Sequence, residues 1–230
     1  MKFFRRKIVR LGRYIESVSG DWFLNIRTQG ALLSGSTRSR NQDAVSYDTV
    51  THAAIKKAIR LVHPGPDDVV YDVGSGKGRA VCHFARYRTR KVIGIEISEQ
   101  LCEIARANVN RLRKRRSPVE IRHVDAALAD LSEGTIYYFF HPFGESTLLD
   151  VLENLKRTHD LATEKVTIIY MNAQHAKVFA QYSSFQIIHD YKRSNGQRVV
   201  IYRSGSRVPQ MVANHCDGLK TDSGDNGKQE

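Results

Sequence analysis

Hydrophobic and polar positions along the chain follow two rhythms that alternate. Short apolar runs bounded by breakers fall at 69–73, 91–96, 135–140 and 166–171, 119–124 alternates apolar with polar, and between these segments apolar residues recur three and four positions apart. The first rhythm is that of buried strands and the second that of helices with one covered face. Val69, Val70, Tyr71 and Val73 are β-branched or aromatic. They lie between Pro64-Gly65-Pro66 and a cluster of three glycines, as expected of a parallel core strand. From Arg79 onward the period lengthens, with Val81, Phe84 and Ala85 at helical spacing. A helix upstream carries Ala54, Ile55, Ala58, Ile59 and Val62, with Thr49 or Thr51 as its N-cap. Ser98 caps another with Leu101, Ile104, Ala105, Asn108, Val109 and Leu112 on its sheet face, a run of arginines and Lys114 at its end, and Ser117-Pro118 as its stop. Leu148, Leu149, Leu152 and Leu155 mark a further helix, and 176–182 a short one. Asn195-Gly196 between the apolar runs 185–191 and 198–202 predicts a hairpin. The pattern therefore predicts an α/β fold: seven strands in a mostly parallel sheet, helices on both faces, and an antiparallel C-terminal hairpin.

The ends of the chain read differently. Over 1–18, Phe3, Phe4, Ile8, Leu11 and Ile15 recur at three- and four-residue steps with Arg5, Arg6, Lys7, Arg10 and Arg13 among them, which is a basic amphipathic helix. Three destinations are open to it: an anionic membrane surface, an organelle import route, or the protein's own core. Between 20 and 47 the pattern loosens into a lid or clamp segment. From Ser204 the chain turns polar and glycine-rich, as disordered segments do. The expected organisation is an N-terminal helix and lid over 1–46, a single catalytic-size domain over 47–203, and a disordered tail over 204–230.

Charge changes the picture more than composition does. The formal net charge is +12, with Lys and Arg concentrated at 1–13 and 106–116, so the expected surroundings are anionic: nucleic acid, an acidic protein or a membrane face. Cys82, Cys102 and Cys216 stand in no metal-binding spacing, and no apolar run is long enough to span a bilayer. No metal site is expected. A reducing, cytoplasmic setting is, with organelle targeting by the basic N-terminus left open.

The chemistry is written in the glycine cluster Asp72-Val73-Gly74-Ser75-Gly76-Lys77-Gly78-Arg79. A strand handing over to a helix through residues without a Cβ lets a nucleotide lie against the main chain and offers it unpaired N–H groups. A dinucleotide fingerprint fails here, because Arg79 stands where its third glycine belongs. A P-loop fails twice, at Tyr71 and at Gly78. The strand 91–96 then ends in Glu96, roughly 20 residues past the glycines, where a carboxylate can accept from both hydroxyls of a ribose. Lys77 and Arg79 are expected at the pocket rim or in solvent.

The remaining string resembles the first motif of class I S-adenosylmethionine-dependent methyltransferases. The resemblance covers roughly 47–203, through the order and spacing of four motifs and a seventh strand running against the others. It implies S-adenosylmethionine as cofactor, held by Asp72, Gly74, Ser75, Gly76, Gly78, Glu96 and Asp125. Asp125 would meet the adenine amine, although it is also an ordinary cap for the turn that follows. A looser similarity to non-SET-domain lysine methyltransferases makes Tyr47 and Thr51 clamp candidates, with packing and capping at a helix start as their other reading. At the fourth motif His141-Pro142-Phe143-Gly144 has one proline and a histidine, where base-amine methylating enzymes carry Asn or Asp and Pro-Pro. His141 and Phe143 would face the acceptor, while a histidine capping the next helix is the alternative. The implied reaction is methyl transfer to a protein amine, a lysine. RNA or a small molecule as acceptor, and an inactive cofactor-binding scaffold, are the alternatives. A peripheral contact with anionic membrane through 1–18 accompanies either protein or RNA as partner.

Overall fold

The computed structural model of the chain describes residues 2–30, 50–140 and 144–205. Tyr47, His141 and Phe143, expected at the site, and residues 206–230 of the expected tail lie outside these.

Seven strands form one sheet: β1 (Val69–Val73), β2 (Lys91–Glu96), β3 (Val119–His123), β4 (Ile136–Phe140), β5 (Thr167–Met171), β6 (Gln186–Lys192) and β7 (Arg198–Arg203), in the spatial order β3-β2-β1-β4-β5-β7-β6. The first five are mutually parallel, and β7 runs antiparallel to both β5 and β6. The expected hairpin closes at Gly196, whose φ of 84° is the left-handed conformation an Asn-Gly turn requires.

The pleat sorts each strand's side chains onto two faces. Val69, Tyr71 and Val73 join Ile93, Tyr137, Phe139 and Ile168 in one core, covered by α5 (Glu145–Thr158) through Leu148, Val151, Leu152 and Leu155. Val70, Val92, Tyr138, Ile169 and Ile201 join the other. That face is covered by α2 (His52–Val62), α3 (Arg79–Phe84) and α4 (Glu99–Arg111). β1 is buried over its whole length, which is why it reads as an apolar run broken only by Asp72 rather than as an alternation. Ser98 caps α4 as expected, its hydroxyl accepting from the Leu101 N–H at 3.4 Å.

The N-terminal helix α1 runs Lys2–Leu24, several residues past the expected end. Its most buried residues are Ser17, Asp21 and Leu24, spaced four and three apart; Glu16 accepts from the Ala53 N–H, and Leu24 and Ile26 enter the second core. Residues 17–30 therefore pack on the domain that the sequence reading began at 47. At the other end Ser204 is buried, its hydroxyl accepting from the Val166 N–H and donating to the Glu164 carbonyl, so ordered structure passes the expected boundary at 203.

Candidate functional site

The parallel register brings four strand ends to one edge of the sheet. Val73 pairs with Ile95 and with Phe139, and Glu96 with His123. The chain leaves this edge from β1 through Gly74, Gly76 and Gly78, whose φ values are 76°, 54° and 77°. Any other residue would be strained there, at roughly 1–2 kcal/mol each. A Cβ on Gly78 would also come within 3.1 Å of the Ala105 Cβ on α4.

Two groups of β2 hold the turn. The Ile95 carbonyl accepts from the Gly74 and Ser75 N–H groups at 2.9 and 2.8 Å. Glu96 Oε2 accepts from the Gly76 N–H at 2.8 Å, and Oε1 from the Ser98 N–H at 2.9 Å. Burial raises the Glu96 carboxyl, against these N–H donors. A carboxylate has about four acceptor positions, so two are left for a ligand. The downstream acid thus points at the glycine turn.

Asp125 follows β3 and sits beside Glu96, since the Val124 N–H donates to the Glu96 carbonyl at 3.0 Å. Its Oδ1 accepts from the Ala127 N–H at 3.0 Å, so it caps its own turn and has acceptor capacity to spare. Thr51 begins α2, yet its hydroxyl accepts from Arg193 of the hairpin instead of capping the helix. The Ser75 hydroxyl has no hydrogen-bond partner among the described residues and packs over Gly94, where a Cβ would lie 3.0 Å from it.

Asp72 is 3% exposed and takes one hydrogen bond, from the Val81 N–H at 3.2 Å. Burial pushes its carboxyl up to about 7, with Glu96 adding to the rise and the Val81 N–H opposing it. The folded state therefore holds this proton more tightly than the unfolded chain. The stability so contributed is complete below about pH 4 and is lost as pH rises through about 7. Asp72→Asn is expected to stabilise the protein by an amount that grows between pH 5 and pH 8, up to about 4 kcal/mol. Thermal melts of both proteins at the two pH values check this, and an equal gain at both would contradict it.

Lys77 and Arg79 are not at a solvent-facing rim, contrary to expectation; they are 6% and 5% exposed. Lys77 Nζ donates to the carbonyls of Gln29 and Gly30 at 2.7 and 2.6 Å. Arg79 donates to the Thr28 hydroxyl at 2.6 Å and the Val50 carbonyl at 2.8 Å, and pairs with Asp21 at 3.6 Å. Asp21 in turn accepts from the Thr28 N–H at 2.6 Å, from its hydroxyl at 2.7 Å and from His52 Nε2 at 3.0 Å. Burial would raise the Asp21 carboxyl, but His52, Thr28 and the charge of Arg79 outweigh it and hold it below its usual value. His52 Nδ1 lies 2.8 Å from His83 Nε2, and burial together with nearby cations keeps His83 well below the histidine range. Asn108, expected only as a residue of α4's sheet face, bonds both backbone groups of Arg27 and the Lys77 carbonyl. The turn is thus braced from outside by residues 21–30.

Asp21, Thr28, Asn108 and Gly94 were missed as site-supporting residues. Gly94 alone had a local signal, since a glycine inside an apolar strand marks a close approach.

A family profile described as a methyltransferase domain matches residues 70–160. A curated protein-lysine N-methyltransferase of Saccharolobus islandicus (strain REY15A) is 28% identical over 99 residues, 42% of this chain; the chain spans 60% of that relative's length. An RNA methyltransferase from Salinibacter ruber, solved with S-adenosyl-L-homocysteine, superposes with a TM-score of 0.54 at 22% identity. That match covers 71% of this chain and 97% of the other. Magnesium protoporphyrin IX methyltransferase from Synechocystis PCC 6803, solved with bound SAM, gives 0.51 at 15% identity over 66% of this chain and 76% of its own. The two structural likenesses speak for the fold. In its strand order the sheet is seven-stranded and Rossmann-like, and over the matched span the chain is similar to S-adenosylmethionine-dependent methyltransferases.

Proposed function

We propose that this chain transfers a methyl group from S-adenosylmethionine to an amine of a protein, most simply a lysine. The observation that carries the first half is Glu96 reaching back from the end of β2 to the Gly76 N–H, with two acceptor positions left for the two ribose hydroxyls. Gly74, Gly76 and Gly78 let the cofactor approach the backbone, and Asp125 beside Glu96 would accept from the adenine amine. Asp72 and Glu96 set two carboxyls beside a ligand that carries a sulfonium. Ser75 supports the turn from inside, and Thr51, tied to Arg193, supports the start of α2 near it. His141, Phe143 and Tyr47 are proposed to face the acceptor.

The sulfonium supplies an activated methyl group and its own leaving group. What the chain must do is orient the donor, admit an uncharged amine in line with the methyl–sulfur bond, and keep water out. No side-chain nucleophile is needed. The domain boundaries proposed with this reading remain 1–46, 47–203 and 204–230, with 17–30 packed as a brace on the central part.

The lysine acceptor is supported by the matched protein-lysine N-methyltransferase and by the single proline after His141, which departs from the base-amine pattern. RNA is the second reading, favoured by the net charge of +12. Incubating the protein with methyl-labelled S-adenosylmethionine and a cell lysate separates them. The expected label is destroyed by protease, resists nuclease, and yields methyllysine on hydrolysis. Nuclease-sensitive label would move the assignment to RNA, and no labelled product would leave a cofactor-binding scaffold.

A further inference from the structure

We infer that α1 docks on an anionic lipid surface, lying in the plane of the interface with its apolar stripe toward the acyl chains. Leu11, Ile15, Val18 and Trp22 fall on one side of the helix and are 59, 57, 40 and 73% exposed. Tyr14 and Phe23 flank them at 63 and 50%. The most buried residues of the helix, Ser17, Asp21 and Leu24, are on the opposite side, and Glu16 and Gly20 meet α2 beside them. The helix therefore turns its apolar face away from its own protein, and in the sequence the same spacing continues back to Ile8 and Phe4. A contiguous stripe of this kind is uncommon on a surface with no partner.

Charge chooses the occupant. The sequence of α1 interleaves Lys2, Arg5, Arg6, Lys7, Arg10 and Arg13 with these apolar positions, which is the composition of an interfacial helix. Cations of the body stand at the level of its aromatic residues. The Arg113 guanidinium lies 5.7 Å from the Trp22 ring centre, and Arg86 and Lys56 lie 5.2 and 5.9 Å from that of Phe23. Phe23, Lys56 and Arg60 line an open cleft between α1 and α2, where a lipid phosphate would meet two cations. Glu16, in the same cleft, accepts from the Ala53 N–H through Oε1, and its Oε2 has no hydrogen-bond partner among the described residues. A second copy docked stripe to stripe would bring two such basic helices together, whereas anionic headgroups neutralise them. No helix of the described residues is long and apolar enough to cross a membrane, so the contact is peripheral.

The test is flotation of the full chain with vesicles of phosphatidylcholine alone or with phosphatidylglycerol added. The parent is expected to float with the anionic vesicles only, and less so in high salt. The triple variant Leu11→Ser, Ile15→Ser, Trp22→Ser should lose at least about tenfold in bound fraction. Arg10→Glu with Arg13→Glu should lose about as much. Thermal melting and S-adenosylmethionine binding should stay at parent values, which separates lost docking from lost folding. A parent that stays with neither vesicle, or a triple variant that floats like the parent, overturns the proposal. So does a dimer in light scattering that the triple substitution dissociates, which would make a second copy the occupant.

Discussion

Glu96→Ala is expected to weaken S-adenosylmethionine binding by about a hundredfold or more in titration calorimetry. The proposed role of the carboxylate is to accept from two ribose hydroxyls, and hydrogen bonds to a charged group contribute about 1.5–3 kcal/mol each. Losing both removes roughly two decades of affinity or more. The same substitution frees the Gly76 and Ser98 N–H groups, which Glu96 now holds at 2.8 and 2.9 Å, so the turn loses a brace as well as the ligand a partner. Glu96→Gln keeps an acceptor on the turn and should fall between parent and alanine variant. Melting temperature is the control, because Glu96 is only one of several anchors: the Ile95 carbonyl still ties Gly74 and Ser75. An alanine variant that binds with parent affinity would remove the ribose assignment.

Asp21→Ala is expected to cost about 3–5 kcal/mol of stability, although Asp21 lies far in sequence from the glycine turn. The substitution leaves the buried Arg79 guanidinium without its carboxylate and strips acceptors from His52 and from both donors of Thr28. Breaking a buried pair by removing one partner is costly because the remaining charge stays desolvated. For a protein of this size the loss corresponds to a drop of roughly 6–20 °C in Tm. Arg79→Met with Asp21→Ala should recover part of it, since the double variant buries no orphaned charge. If the double variant is less stable than the sum of the singles, the pair is not what holds residues 21–30 to the turn.

Much of the site was legible because its signals are local. A glycine at 74, 76 and 78 reports a backbone that must take positive φ, and that requirement is met within a few residues. Ser98 reports a helix start for the same reason, and Asn195-Gly196 a turn. The number of strands and the closing hairpin followed from the run of apolar segments, whereas the spatial order of the strands came with the structure. The environment of Lys77 and Arg79 was not legible. A lysine and an arginine beside a turn belong in water unless partners arrive to satisfy them, and theirs come from Asp21, Thr28, Gln29, Gly30 and Val50. Nothing near position 77 or 79 announces those partners. Asn108 was hidden in the same way: its place on α4's sheet face was visible, its bonds to Arg27 and Lys77 were not.

The sequence by itself determined the elements, their order along the chain and the glycine turn after β1, because periodicity and turn residues act over a few neighbours. Only the tertiary structure decided that residues 17–30 brace the glycine turn and that α1 shows its apolar stripe outward. An amphipathic period states that a helix has two faces; which face is covered depends on what packs against it, and that is set by contacts between residues dozens of positions apart.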